Sequence, residues 1–293
     1  MNKENKYRPR IAASAHALDV RGVRYCIHEW GDKSSVPVFY LHGWADTGST
    51  FQFVADALGE DWRIIAPDWR GFGQSGRGAA SYWFPDYLAD LHAILDHYAP
   101  SGKVPILGHS MGGNIASLYA GTMPERVAAL INIEGFGLSD TDPAEAPGRY
   151  REWITAAVAG PEFADYPDFG TLAKRIQKRS PALSDARAEF VARQWAKRDD
   201  DGRVRLRADP AHKLPNPVLY RRAESEACWK NITADVLLVR GETSPFAARF
   251  GSTASLPFPQ ARNEEIAAAG HMIHFEAPQR LADIARAFLA QTL

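Results

Sequence analysis

Cysteine is nearly absent from this chain. Cys26 and Cys228 stand alone, without motif spacing. Two residues cannot make a disulfide-stapled scaffold, and they read as free thiols of a reducing compartment. A dominant charge is absent as well. The 34 Lys and Arg against 35 Asp and Glu leave a formal charge of −1, so no bulk field recruits nucleic acid or an acidic membrane. The charge run Lys197-Arg198-Asp199-Asp200-Asp201 mixes signs and reads as a solvated loop. No apolar run reaches the ~20 residues of a transmembrane helix. Met1 to Arg10 is polar and charged and lacks the apolar centre of a signal peptide, so a loose N-terminal arm and a cytoplasmic location are expected. Repeats and low-complexity segments are missing too, and no metal or other cofactor is expected. What remains is 45% hydrophobic and 24% charged, an ordinary globular balance. Its 293 residues have room for one large α/β domain with an insertion.

The most informative stretch is Val104 to Asn114, Val-Pro-Ile-Leu-Gly-His-Ser-Met-Gly-Gly-Asn. A short apolar run reads as a buried parallel strand. Gly108-His109-Ser110-Met111-Gly112 follows at once, matching G-x-S-x-G, and Ile115, Leu118 and Tyr119 then fall on one helical face. Strand, tight turn and helix give this motif its mechanical sense: the serine is carried on a sharp elbow with its hydroxyl exposed. Glycines flank it because a Cβ there would clash where strand and helix cross. The amide of Met111 lies at a helix N-terminus, where unpaired N–H groups favour an anion.

In chain order, Leu18 to Trp30 alternates around Arg21-Gly22 and predicts a hairpin. Val36–Leu41 and Trp62–Pro67 predict strands, with a helix between them marked by Phe51, Val54, Ala55 and Leu58. The glycine-rich loop from Asp68 to Gly76 reads as structural. Tyr87, Leu91, Ile94, Leu95 and Tyr98 mark a long amphipathic helix, and Val127–Ile133 is a strand closing on Glu134. From about Leu138 to Lys230 the texture is helical, rich in proline and charge, without a convincing buried strand. Alternation resumes with a strand at Asp235–Gly241, a weaker one near Glu264–Ala268, and a last helix striped by Leu281, Ile284, Ala285, Phe288 and Leu289. The expected fold is α/β: a mostly parallel, doubly wound sheet with an inserted helical cap. Residues 1–137 and 231–293 would form the core domain, and 138–230 a cap at the carboxyl edge of the sheet, where ligands bind.

Taken together, His42-Gly43-Trp44, the Asp68–Gly76 loop, Gly108-His109-Ser110-Met111-Gly112 and Gly270-His271-Met272 stand in an order that resembles the α/β-hydrolase family over nearly the whole chain. The resemblance implies a serine nucleophile, Ser110, and a histidine base, His271, with His274 as its nearest competitor. It also implies an oxyanion hole from the backbone amides of Trp44 and Met111. The serine hydroxyl must lose its proton as it attacks, the histidine takes that proton and later returns it, and a carboxylate fixes the histidine's tautomer.

The acid departs from the family's common Gly-Glu-x-Asp pattern. This chain reads Gly241-Glu242-Thr243-Ser244, and serine cannot supply the charge. Some relatives, many haloalkane dehalogenases among them, carry a glutamate after the preceding core strand. Here that position is Glu134, 24 residues beyond Ser110. It ends an apolar strand, where an unpartnered carboxylate is costly, so a hydrogen-bonding or cationic partner is expected. Glu242 is the fallback acid and Asp140 a weaker one. Dehalogenases and epoxide hydrolases of this fold use an aspartate nucleophile; Ser110 points instead to acyl transfer on a small-molecule acyl substrate. The leading expectation is a serine hydrolase of a small ester, lactone or thioester. The alternatives are carbon–carbon bond hydrolysis with the same triad, and a ligand-binding protein that lost turnover. Trp153, Phe163, Trp195 and Trp229 read either as packing of the inserted segment or as a wall for an apolar group. Asp209-Pro210-Ala211-His212-Lys213 reads as a turn without a role.

Overall fold

The computed structural model describes residues 6–77, 80–245 and 253–292. The chain begins with the hairpin of β1 (Ser14–Val20) and β2 (Val23–Trp30), turning at Arg21 and Gly22, both with positive φ. It continues through β3 (Val38–Leu41), α1 (Gln52–Leu58), β4 (Ile64–Pro67), α2 (Phe84–Tyr98), β5 (Val104–His109), α3 (Met111–Thr122) and β6 (Val127–Ile133). The segment 138–230 holds α4 (Ala146–Ala159), α5 (Phe169–Arg179), α6 (Asp185–Trp195), β7 (Ala196–Arg198), β8 (Val204–Leu206) and α7 (Arg222–Lys230). Last come β9 (Asp235–Gly241), β10 (Arg262–Ile266), α8 (Ile273–Glu276) and α9 (Pro278–Thr292).

Eight strands form one sheet in the order β1-β2-β4-β3-β5-β6-β9-β10. β2 runs antiparallel to both neighbours, and every pairing from β4 to β10 is parallel. Both faces of the sheet are covered, which is why its central strands are apolar throughout rather than alternating. Ile106, Val236 and Leu238 point to one side, where α2 and α3 bring Leu91, Ile94, Ile115 and Tyr119. Leu107, Leu237 and Val239 point to the other, where α1 and α9 bring Val54, Leu58, Leu281 and Phe288. Each such side chain stabilises by about 1.5–3 kcal/mol when fully buried. Register then sets the working edge. His109 pairs with Ile133 and Ile133 with Val239, so Ser110 and Glu134, which follow β5 and β6, emerge side by side next to the end of β9.

Two expectations change and one is extended. Segment 138–230, expected to lack a convincing buried strand, also carries a short, mostly unburied pair, β7 and β8, running antiparallel beside the charge run. Strands of three residues carry too little periodicity to be read, and the turn is closed by Asp199 N donating to Arg203 O at 2.9 Å with Gly202 at φ 81°. The N-terminal arm is held from Tyr7 onward. Tyr7 donates its hydroxyl to Asp56 and meets the Phe53 ring edge-on at 4.8 Å, while the amides of Arg10 and Ile11 donate to the same carboxylate. The last strand ends at Ile266 rather than Ala268, because Ala268 turns to φ 55°. Cys26 and Cys228 are free. No helix among the described residues is long and apolar enough to cross a membrane.

Candidate active site

Ser110 joins β5 to α3 at φ 52° and ψ −114°, a conformation costly for any residue with a Cβ. Its neighbours make it tenable. A Cβ on Gly112 would lie 2.0 Å from Leu41 O, and one on Gly108 would lie 2.4 Å from Gly112 O. Only glycines let α3 press this closely on β3 and β5. The serine's own amide donates to Ile133 O at 2.8 Å, tying the elbow to β6. The loop after β3 passes just above. A Cβ on Gly43 would meet the Ser110 Cβ at 3.2 Å, so the next amide, that of Trp44, lies close to the elbow. His42 holds that loop from below, donating from Nδ1 to Gly43 O at 2.7 Å and accepting the Trp69 amide on Nε2 at 2.8 Å. Burial pushes its pKa down, which fits an imidazole used as one donor and one acceptor.

On the other side of the elbow, His271 Nδ1 lies 3.2 Å from Glu134 Oε2. Glu134 is wholly buried at its side chain, and its backbone is left-handed at φ 58°. Its partners are Gly241 N, which donates to Oε1 at 2.8 Å, and Ser244 Oγ, which donates to Oε2 at 2.5 Å. The partner demanded for this carboxylate is therefore a set of three donors. Ser244 is the finding that the sequence hid. Read as a vacated acid position, it binds the very oxygen that faces His271. The two fallback acids are exposed and engaged elsewhere: Glu242 accepts from Ala268 N and Asp140 from Arg222 N.

His274, the competitor of His271, is fully buried, with Nε2 3.0 Å from Asp46 Oδ2. His109, the variable residue of the serine motif, donates from Nε2 to His271 O at 2.8 Å and binds the elbow to the histidine loop. Burial, aided by the neighbouring His274 and His271, pushes its pKa well down. Neither Asp46 nor His109 stood out in the sequence, because a single Asp in a loop and an x position of a motif carry no pattern.

Among the aromatics, Trp229 is core packing, with its ring nearly parallel to Phe258 at 4.7 Å. Trp195 donates its indole N–H to Asp46 Oδ1 at 2.7 Å. Phe163 lies 6.5 Å from Trp44, while α4, which carries Trp153, buries no residue. The turn Asp209–Lys213 also acquires a place. His212 lies between the rings of Phe72 and Tyr82, at 3.8 and 3.6 Å, and its carbonyl accepts from Trp44 Nε1 at 3.3 Å. Among the described residues, two groups bring metal-ligating atoms within 4.8 Å of one another, Cys26–His28–Asp68 and Asp46–His109–His274. In the first, His28 and Asp68 already satisfy each other at 3.1 Å, and Gly48 N and Gln74 N fill the carboxylate further.

The family model of the alpha/beta hydrolase fold matches residues 36–278. A serine hydrolase-like protein of Danio rerio is 27% identical over 244 residues, 81% of this chain and 74% of that one. The hypothetical protein PA1622 of Pseudomonas aeruginosa superposes with a TM-score of 0.84 at 26% identity, covering 94% of this chain and 99% of that one. The thioesterase domain of the curacin biosynthetic pathway has the same fold, with a TM-score of 0.81 at 24% identity over 93% and 99% of the two chains. An elbow serine on a doubly covered parallel sheet, matched by this family model over most of its length, places the chain in the α/β-hydrolase family, as a hydrolase of its serine type.

Proposed function

We propose that this protein hydrolyses a small carboxylic ester, lactone or thioester through an acyl-enzyme, with Ser110 as nucleophile, His271 as base and Glu134 as acid. The observation that carries the reading is the Glu134–His271 pair at 3.2 Å, set beside an elbow serine. With Glu134 accepting from Nδ1, the His271 tautomer leaves Nε2 as the basic nitrogen. Nε2 takes the Ser110 proton as Oγ bonds to the carbonyl carbon. The oxygen becomes an oxyanion, bound by the amides of Trp44 and Met111; no described acceptor takes either amide. Removal of one such donor costs about 2.7–4 kcal/mol in barrier. The proton on Nε2 passes to the leaving alcohol or thiol as the acyl-enzyme forms. Water then attacks, gives its proton to His271, and the acid product leaves with Ser110 reprotonated. Segment 138–230 acts as a cap over this edge, joined to the core through Trp195 and His212.

The test is Ser110→Ala. It should fold, lose nitrophenyl ester hydrolysis to the buffer rate, and lose labelling by a fluorophosphonate. Wild-type turnover in that variant would refute the mechanism. Absence of labelling in the wild-type protein, with ligand binding retained, would favour a silent receptor. Turnover of vinylogous diketones and not of esters would favour carbon–carbon cleavage.

A further inference from the structure

Asp46 is a fully buried carboxylate that the mechanism above leaves unused. It sits two residues beyond Trp44, after Ala45 at φ 59°. Oδ1 accepts from Thr50 Oγ1 and from Trp195 Nε1, each at 2.7 Å, and Oδ2 faces His274 Nε2 at 3.0 Å. His274 stands three residues after His271, and its ring lies 4.5 Å from that of His109. His109 in turn precedes Ser110 and holds the His271 carbonyl. One buried charge therefore meets the oxyanion loop, the histidine loop and the inserted segment directly, and the elbow through one ring.

A lone carboxylate in such a place would destabilise the fold by several kcal/mol, and a neutral hydrogen-bonding residue would serve packing as well. Its retention beside three catalytic loops has a catalytic sense. Reacting atoms must be held to within a fraction of an ångström, and a misplacement of about 1 Å costs ~10²-fold in rate. The catalytic serine, histidine and oxyanion amide come from three separate segments of the chain, whose relative placement must be held by contacts between them. We propose that Asp46 and His274 are positioning residues, a hydrogen-bonded carboxylate–imidazole pair that clamps the oxyanion loop to the histidine loop behind Ser110 and couples both to the cap through Trp195. The inference rests on the hydrolase reading given above.

The measurement is turnover per active site, with sites counted by stoichiometric fluorophosphonate labelling, so that misfolded molecules drop out. Asp46→Asn keeps the shape and the acceptor for Trp195 but removes the charge. It should lower kcat per labelled site by ~10²-fold with KM for a nitrophenyl acetate within about threefold. His274→Gln keeps a donor for Asp46 and removes the ring; it should fall to a similar rate. The double variant should be no slower than the slower single one, because the pair acts as a unit. Should Asp46→Asn fail to fold, His274→Gln is read by the same ratio. A purely structural pair would reduce the labelled fraction and the melting temperature and leave kcat per labelled site within threefold of wild type, which would overturn the proposal. Active Ser110→Ala would overturn the hydrolase reading and this one with it; inert Ser110→Ala beside a wild-type rate per site in Asp46→Asn would overturn this one alone.

Discussion

Glu134 shows how much a single position can decide. Its backbone is left-handed, its side chain is sealed, and three donors converge on two oxygens. Glu134→Gln keeps the shape and turns one oxygen into a donor facing other donors. Loss of the charge in a comparable serine hydrolase lowered turnover about 10⁴-fold, and a loss of that order is expected here. Ser244→Ala removes one hydrogen bond to the oxygen that His271 uses and should cost about tenfold, a barrier change of ~1.4 kcal/mol. Because Ser244 Oγ lies 2.5 Å from Glu134 Oε2, a carboxylate at position 244 would come up to the same histidine. Glu134→Gln combined with Ser244→Asp should therefore recover part of the rate in an ester assay. No recovery, with full activity in Glu134→Gln alone, would remove Glu134 from the mechanism. The residue types were legible: Gly-His-Ser-Met-Gly, the His directly after Gly270, and a glutamate ending an apolar strand. The role of Ser244 was not, since a serine at a vacated acid position looks the same whether or not it reaches back to the carboxylate.

Among elements, the elbow is the least forgiving. Gly112→Ala would place a Cβ 2.0 Å from Leu41 O, against backbone that cannot move without breaking β3 from the sheet. It should cost more than about 4 kcal/mol and leave little folded protein. Gly102→Ala is the contrast: its φ is positive at 84°, unlike that of the helical Gly112, but nothing lies within 4 Å, so about 1–2 kcal/mol is expected in a denaturant titration. Equal costs at the two sites would mean that crowding at the elbow is not what fixes its glycines. The turn Pro210–Lys213 is the second element with a measurable task. His212→Ala removes a ring held between Phe72 and Tyr82, worth about 1–3 kcal/mol for two aromatic contacts. It should lower the melting temperature and open 138–230 to limited proteolysis before the core is cut. Unchanged proteolysis would show that this turn does not anchor the segment. Long periodic elements such as α2 and α9 could be read because a 3.6-residue stripe repeats several times within them. β7 and β8 could not, because three residues do not establish a period.

For the molecule as a whole, buried imidazoles shape stability against pH. Burial opposes the charge on His28, but Asp68 at 3.1 Å outweighs it and raises the pKa from 6.5 to about 10. A raised histidine stabilises fully below its unfolded value and loses that contribution as pH climbs towards 10. Burial pushes His42 and His109 down, and His212 from 6.5 to about 4. These three hold the fold above about pH 6.5 and give way as the solution becomes more acid. Burial also opposes the Asp46 carboxylate, yet the bond and charge of His274 keep its pKa below the usual value, which adds loss at still lower pH. The melting temperature should thus peak near neutrality and fall on both sides. His28→Gln should be less stable at pH 7 and show a flatter slope from pH 7 to 10. A wild-type curve flat over that interval would contradict the His28–Asp68 assignment.

The sequence by itself determined the class of architecture, the strand–elbow–helix that carries Ser110, the loop position of His271, and the strand end that carries Glu134. Those are local properties: periodicity, a glycine pair beside a serine, a charge closing an apolar run. Only the tertiary structure decided which donors surround Glu134, that His274 belongs to Asp46, and that the turn at His212 leans on Phe72 and Tyr82. Each of those contacts joins residues far apart in the chain, from 107 positions for Gly241 and Glu134 to 228 for His274 and Asp46. Their partners are chosen by sheet register and by the packing of the helices on it, which no local pattern of residues encodes.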